Sequence, residues 1–481
     1  MKTEQLFENL VVKAEKSESN MSRRDALKFM GLSPIAASVL ASSSATTAAN
    51  ASSDATGKIV IVGGGSGGIM AMARLRSALS NPDITLIAPN EKHLYQPGQV
   101  FMAAGEYTFD DIVKENSDFI PSDINWIKDE VKTFDPDNNK VITRSGEEIN
   151  YDYLVVATGL QYHYEWIKGL TTDMIGKNGI SSVYLNDAEK GTADGGTITH
   201  QWFKDVHQAA QNGNPRVICT QPGTPIKCGG APQKILYLSD DFLKRDGLSA
   251  DFTFATNSGS LFGLKEIADT LANEVQPRYG NITNKFKHNL VAIDADKKIA
   301  TFEHNYEIKG EYDEDLEEYD MIKKEEIVEL AYDFIHIVPP MSAPDAVVNS
   351  KLGWQKGTGK GWLEVNRDTL QHRRYKNVFG IGDILGVPKG KTGGSARHHG
   401  PILVENMIAV MEGKEPKAVF DGYTVCPLKT EYGKIILAEF DYDGLAPSFP
   451  LDPSRPRWIW WAFDLYMLKP MYWYLMMRGL M

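Results

Sequence analysis

The chain has 481 residues, enough for two or three domains rather than one simple core. Its apolar fraction of 42% is that of a globular protein, and its net charge of −12 argues against a general nucleic-acid role. The three cysteines, Cys219, Cys228 and Cys426, are too few for a disulfide scaffold and lack zinc-site spacing. They fit either a redox pair with one spare thiol or three inert core thiols.

Residues 1–56 read as an address and a linker. The run Ser22-Arg23-Arg24-Asp25-Ala26-Leu27-Lys28 resembles the twin-arginine export motif, with Ala26 in the usual place of Phe. The apolar stretch from Phe29 to Leu40 is interrupted by Ser33-Pro34 and is too short for a membrane span. An Ala/Ser/Thr-rich run follows, and Ala49-Asn50-Ala51 fits a small-x-small cleavage site. The alternative is a flexible arm that happens to contain Arg-Arg. Export by this route carries folded proteins, so the expectation is a cofactor-loaded protein on the periplasmic side of the inner membrane.

A dinucleotide site comes next, in a part expected to span 57–160. Lys58 to Val62 reads as a buried strand, and Ile69 to Leu79 as a helix. Between them, Gly63-Gly64-Gly65-Ser66-Gly67-Gly68 contains G-x-G-x-x-G, which lets a pyrophosphate approach the backbone at a helix N-terminus. The second strand, Ile84 to Ala88, ends in Ala88 where a ribose-binding acid is usual; Asn90 or Glu91 could substitute. Downstream, Tyr151 to Val156 leads into Ala157-Thr158-Gly159, and Asn377 to Ile381 leads into Gly382-Asp383. Both resemble secondary fingerprints of the two-dinucleotide-domain flavoprotein reductases. That resemblance implies FAD, with Gly63, Gly65, Gly68, Ala157, Thr158, Gly159, Gly382, Asp383 and Lys391 as its binding residues and Asp383 on the ribityl chain.

A second Rossmann-like domain is expected over 161–330, inserted before a second flavin segment at 331–420. Its first strand should be Arg216 to Thr220. No glycine fingerprint follows. The loop Gln221 to Pro232 carries prolines and Cys228 instead, which argues against a nicotinamide reductase and for thiol chemistry. Cys228 precedes a predicted helix, Gln233 to Arg245, and adjoins Lys227; both favour a thiolate. Cys219, inside an apolar strand, reads as a packed core thiol.

Several runs together resemble the sulfide:quinone oxidoreductase family, in the details of the subgroup that includes the mitochondrial enzyme. They are Thr224 to Lys234 (TPIKCGGAPQK), Asp421 to Leu428 (DGYTVCPL), Lys434 to Asp441 (KIILAEFD), Leu370 to Tyr375 (LQHRRY) and His93 to Pro97 (HLYQP). The resemblance implies an α/β fold of two Rossmann-like domains and a catalytic pair, Cys228 and Cys426, joined by a disulfide or a sulfur-bridged trisulfide. Sulfide would attack Cys426, Cys228 would be the flavin-side sulfur, electrons would pass through FAD to membrane quinone, and sulfane sulfur would leave on a thiol, sulfite or polysulfide. Two departures stand out. No cysteine lies between Met1 and Ile218, so two cysteines should suffice and FAD should be bound non-covalently. Arg397-His398-His399 offers either a proton path to reduced quinone or a solvated helix start.

The segment 421–481 ends in a tail from Arg455 crowded with Trp458, Trp460, Trp461, Phe463, Tyr466, Tyr472, Trp473 and Tyr474. Asp464, Lys469 and Pro470 preclude a clean span, so two short amphipathic helices meeting at Pro470 and seated on a membrane surface are expected. The competing reading is a helix packed on the body or a dimer contact. Rival functions are a flavocytochrome c-type sulfide dehydrogenase flavoprotein, a type II NADH dehydrogenase and a flavin-bearing membrane adaptor.

Overall fold

The computed structural model describes residues 52–186, 194–313 and 318–481. The arm carrying Arg23-Arg24 and the Ala49-Asn50-Ala51 run lie outside the described residues.

The first domain opens with β1 (Lys58–Val62), α1 (Ser66–Ala78), β2 (Asp83–Ile87), β3 (Asn125–Ile127) and β4 (Tyr153–Val156). The central strands β1 and β4 are nearly unbroken runs of Val, Ile and Leu because a parallel sheet is covered on both faces. Val60 pairs with Thr85 of β2 on one side and Leu154 of β4 on the other, both parallel.

The chain then builds a second parallel sheet from β5 (Ile180–Ser181), β6 (Arg216–Gln221), β7 (Asp251–Thr256) and β8 (Ile282–Phe286). Helices α2 (Asp194–Ala210) and α3 (Ala231–Lys244) lie between these strands in the chain. An antiparallel ribbon follows, made of β9 (His288–Asp294), β10 (Ile299–Asp313) and β11 (Glu318–Ala331). The next strand, β12 (Phe334–His336), returns to the second sheet between β5 and β6, giving the order β5-β12-β6-β7-β8. The second sheet therefore reaches past residue 330.

Only then does β13 (Val378–Gly380) come back beside β4, completing the first sheet as β13-β4-β1-β2-β3. After α4 (Gly393–Met411) comes the hairpin β14 (Thr424–Glu431) and β15 (Lys434–Phe440). The tail is α5 (Trp458–Phe463), a π-helical turn at Asp464–Leu468, and α6 (Lys469–Tyr474); Leu468 and Lys469 keep right-handed helical angles, so these run as one helical stretch with Pro470 inside it rather than as two helices meeting at Pro470.

The tail lies against the first domain rather than apart from it. Trp460, Trp461, Phe463, Tyr472 and Trp473 are buried, and Trp473 stacks on Phe119 with centroids 5.6 Å apart. Tyr107 donates its hydroxyl to the Leu465 carbonyl, and Lys469 pairs with Asp111 at 2.9 Å. Most of the aromatic surface expected to face headgroups is thus turned inward; Tyr474 and Leu480, at 56% and 52% exposure, face outward. Among the described residues, no helix is long and apolar enough to cross a membrane.

Candidate active site

The glycine loop shows why its residues have no side chains. Gly63 has φ +118°, and a Cβ there would lie 2.2 Å from the Ala157 carbonyl oxygen; one on Gly68 would lie 1.8 Å from the Gly63 oxygen. These contacts bring the Ala157-Thr158-Gly159 segment against the N-terminus of α1. By contrast, a Cβ on Gly65, Gly159 or Gly382 would meet nothing within 4 Å. These three glycines line open space at the strand ends. The N-cap of α1, Gly65, has no side-chain cap, so its first N–H groups are available to an anion. Thr158 Oγ1 is buried without a hydrogen-bond partner among the described residues, and the half-buried Asp383 carboxyl is pushed up by burial. An uncapped helix end, an orphaned hydroxyl and a desolvated carboxyl around one backbone-lined cradle fit the pyrophosphate and polyol of FAD.

Lys391 takes a buttressing position. Its Nζ donates to the carbonyls of Asp383 at 2.6 Å and Leu385 at 2.7 Å, and lies 3.4 Å from the centre of the Trp362 ring. Burial lowers its pKa to about 7. Asn90 and Asn116 both donate to the Gly64 carbonyl at 3.2 Å, so Asn90 shapes the loop, whereas Glu91 is an exposed partner of Lys128.

Cys228 and Cys426, 198 positions apart, come together with their sulfurs 3.9 Å apart. Cys228 sits ahead of α3 with φ +51°, a rare conformation for a residue with a Cβ. It is fixed there by donating its N–H to the Lys391 carbonyl at 3.0 Å, which ties the thiol loop to the cradle. Cys426 comes from β14, and a Cβ on Gly230 would lie 2.8 Å from its sulfur, so the glycine makes room for the second thiol. Lys234, in the first turn of α3, places its Nζ 3.0 Å from Cys228 Sγ. The hydrogen bond from Cys426 and the Lys234 ammonium hold the Cys228 thiol well below its usual range, and its presence pushes Cys426 up. Lys227 plays a different part from the one its position suggests. Its Nζ donates to Gln96 and lies 5.0 Å over the Tyr162 ring. Cys219 is fully buried in β6, and burial pushes its thiol up.

Residues 57–196 match the family described as pyridine nucleotide-disulphide oxidoreductase. The mitochondrial sulfide:quinone oxidoreductase of Dictyostelium discoideum is 38% identical over 427 residues, covering 88% of this chain and 86% of the relative. The mouse mitochondrial protein of the same name is 35% identical over 425 residues, with the same two coverages. The chain belongs to the sulfide:quinone oxidoreductase family. The X-ray structure of the Aquifex aeolicus sulfide:quinone oxidoreductase shares the fold, with a TM-score of 0.62 at 22% identity over 80% of this chain and 84% of that one.

Within that family frame, the histidine run has a structural explanation. His399 is fully buried and accepts the Gly382 N–H at 3.3 Å, bracing the turn that carries Asp383. His398 stacks on Tyr423 with centroids 3.9 Å apart and takes a hydrogen bond from Arg397 at 2.8 Å. Burial lowers both imidazoles to about 3, so neither gains a proton near neutrality, which disfavours the proton-path reading. The His93 to Pro97 run is also a clamp. His93 joins Asn116 at 2.8 Å to Tyr472 at 2.5 Å, and Tyr472 reaches Ser66 of the glycine loop at 2.6 Å.

Three residues of this oxidoreductase site went unnoticed in the sequence. Lys234 was one letter of a longer motif. Tyr184, buried with its hydroxyl unpartnered among the described residues, feels the charge of both cysteines. Asp464, taken as an interruption in an aromatic tail, is buried against Lys429 at 2.6 Å.

Proposed function

We propose that this chain oxidises sulfide at a Cys228–Cys426 pair, with FAD in the cradle at the strand ends and membrane quinone as the final electron acceptor. The observation that carries the reading is the meeting of the two thiols, with Lys234 against one sulfur and the Cys228 N–H bonded to Lys391.

In the oxidised enzyme the sulfurs are joined directly or through one further sulfur atom. Two S–S bonds of about 2.05 Å would bridge the pair after a small closure. Hydrosulfide attacks the Cys426 sulfur, a new S–S bond forms, and Cys228 leaves as a thiolate. A thiol of low pKa leaves faster, and Lys234 makes Cys228 that leaving group. The Cys426 persulfide loses its proton and hands its outer sulfur to an acceptor thiol, sulfite or polysulfide, which leaves Cys426 as a thiolate. Rejoining the two thiolates releases an electron pair, for which a flavin held in the cradle would be the acceptor and quinone the final sink. One hydrosulfide thus becomes one sulfane sulfur, one proton and two electrons. Gly63, Gly65, Gly68 and Ala157 to Gly159 would hold the dinucleotide, Gly382-Asp383 its polyol, and Lys391 would keep that turn in place. With no cysteine before Cys219, the flavin is held non-covalently.

Two further parts of the reading concern location. The outward rim of the tail, Tyr474 and Leu480 with Arg478 beside them, is the surface that would touch lipid and meet a lipid-soluble quinone. Arg23-Arg24 would send the folded flavoprotein to the periplasmic face of the inner membrane.

The test is three single serine variants and one double. Cys228→Ser and Cys426→Ser should each abolish flavin bleaching by sulfide while FAD stays bound. The double variant should be no worse than either, because one pair is broken once. Cys219→Ser should stay active. An inactive Cys219→Ser with an active Cys426→Ser would make Cys219 and Cys228 the pair instead.

A further inference from the structure

The cysteine pair lies beside a buried ion pair that none of its chemistry requires. Lys429, on β14 three positions after Cys426, and Asp464, the first residue of the π-helical turn in the tail, are 2.6 Å apart with side chains 3% and 2% exposed. Lys429 also lies 4.2 Å from the centre of the Phe101 ring. Taking both charges out of water is costly, and such a pair is often no more stabilising than apolar residues of the same volume. Its position points to a use. The Lys429 charge acts on Cys228 and on Lys234, which itself touches Cys228 Sγ at 3.0 Å. With a Cys228 thiolate, the four groups form two ion pairs and sum to zero. With the cysteines joined, these four groups carry one net positive charge, which favours approach of an anion such as hydrosulfide.

From this geometry we infer that Asp464 is a positioning residue: its carboxylate holds the Lys429 ammonium in place beside the cysteine pair, so that tail docking and sulfide chemistry are one coupled unit. Burial alone pushes Lys429 toward its neutral amine, and the Asp464 charge opposes this. The other titratable groups around the cluster are Cys426, Tyr95 facing Asp464, Tyr184 facing both cysteines, and Asp383 acting on Cys228. Burial pushes both phenols up, and Asp464 is the acidic side chain bonded to Lys429.

The inference rests on the cysteine-pair reading, and its test separates the two. In the full-length FAD-loaded protein, reduced anaerobically, the rate of iodoacetamide alkylation at Cys228 is followed against pH. Asp464→Asn should move the midpoint up by on the order of one pH unit, because an unpaired buried Lys429 sheds its proton and the thiolate loses a cation. Asp464→Glu should restore the native midpoint. The double variant Lys429→Met/Asp464→Asn leaves no unpaired buried charge, so it folds even where the single variant does not, and it should show the same upward shift. A midpoint that stays put or falls in these variants, with FAD retained, overturns the inference and reduces the pair to a structural role. Cys228→Ser is run alongside: sulfide bleaching that survives in it overturns the cysteine-pair reading instead.

Discussion

Six positions separate Cys228 from Lys234, the lysine whose ammonium meets its sulfur. Lys227 is the chain neighbour of Cys228, yet its side chain goes away to Gln96 and Tyr162. Lys234 enters from the first turn of α3, where side chains tilt back toward the helix N-terminus and so toward the residue that precedes it. The sequence places Lys227 beside Cys228, but the structure puts Lys234 on the sulfur instead, because adjacency along the chain does not fix direction. The consequence is testable through pH. A low thiol pKa keeps Cys228 anionic below the usual thiol range; removing the ammonium disfavours the anion and raises the pKa. Lys234→Met should therefore shift the alkylation midpoint of reduced Cys228 upward by about 1–2 pH units. It should also slow bleaching by sulfide near neutrality. An unmoved midpoint would mean that Lys234 does not set the thiol.

The tail is the element whose chemistry was readable and whose placement was not. Its aromatic crowding is plain in the sequence, but the break expected at Pro470 is absent: the helical run continues from Trp458 through Tyr474, with a π-helical turn just before the proline. Its partners are hundreds of positions away, as with Tyr472 and Ser66, so no local periodicity could show that the aromatic faces are buried. The burial separates two roles that composition merges. Trp460, 1% exposed, is core, and Trp460→Ala should cost about 3–5 kcal/mol of stability by thermal or denaturant unfolding. Tyr474 faces outward, so Tyr474→Ala should leave stability within about 0.5 kcal/mol and weaken pelleting with lipid vesicles. Unchanged pelleting would place membrane contact elsewhere on the surface.

Across the whole molecule, the discontinuous first domain was visible because its short fingerprints sit just after strands that the sheet brings side by side. Ala157-Thr158-Gly159 follows β4, Gly382-Asp383 follows β13, and these strands are neighbours. The extent of the second sheet was hidden because β12 is three residues long and joins by topology rather than pattern. The cradle and the thiol loop, built from distant segments, meet through the backbone bond from Cys228 to Lys391. Export is the separate expectation for the whole chain. Changing Arg23 and Arg24 together to Lys should strand FAD-loaded protein in the cytoplasm, seen by fractionation, and normal export of that variant would remove the twin-arginine reading.

The most direct measurement is an anaerobic titration of the purified, FAD-loaded protein followed by flavin absorbance. Sulfide should bleach the flavin quickly, a soluble quinone added next should restore the yellow form, and NADH should bleach it slowly or not at all. A flavin that stays yellow with sulfide, or that NADH bleaches rapidly, would contradict sulfide oxidation at the Cys228–Cys426 pair.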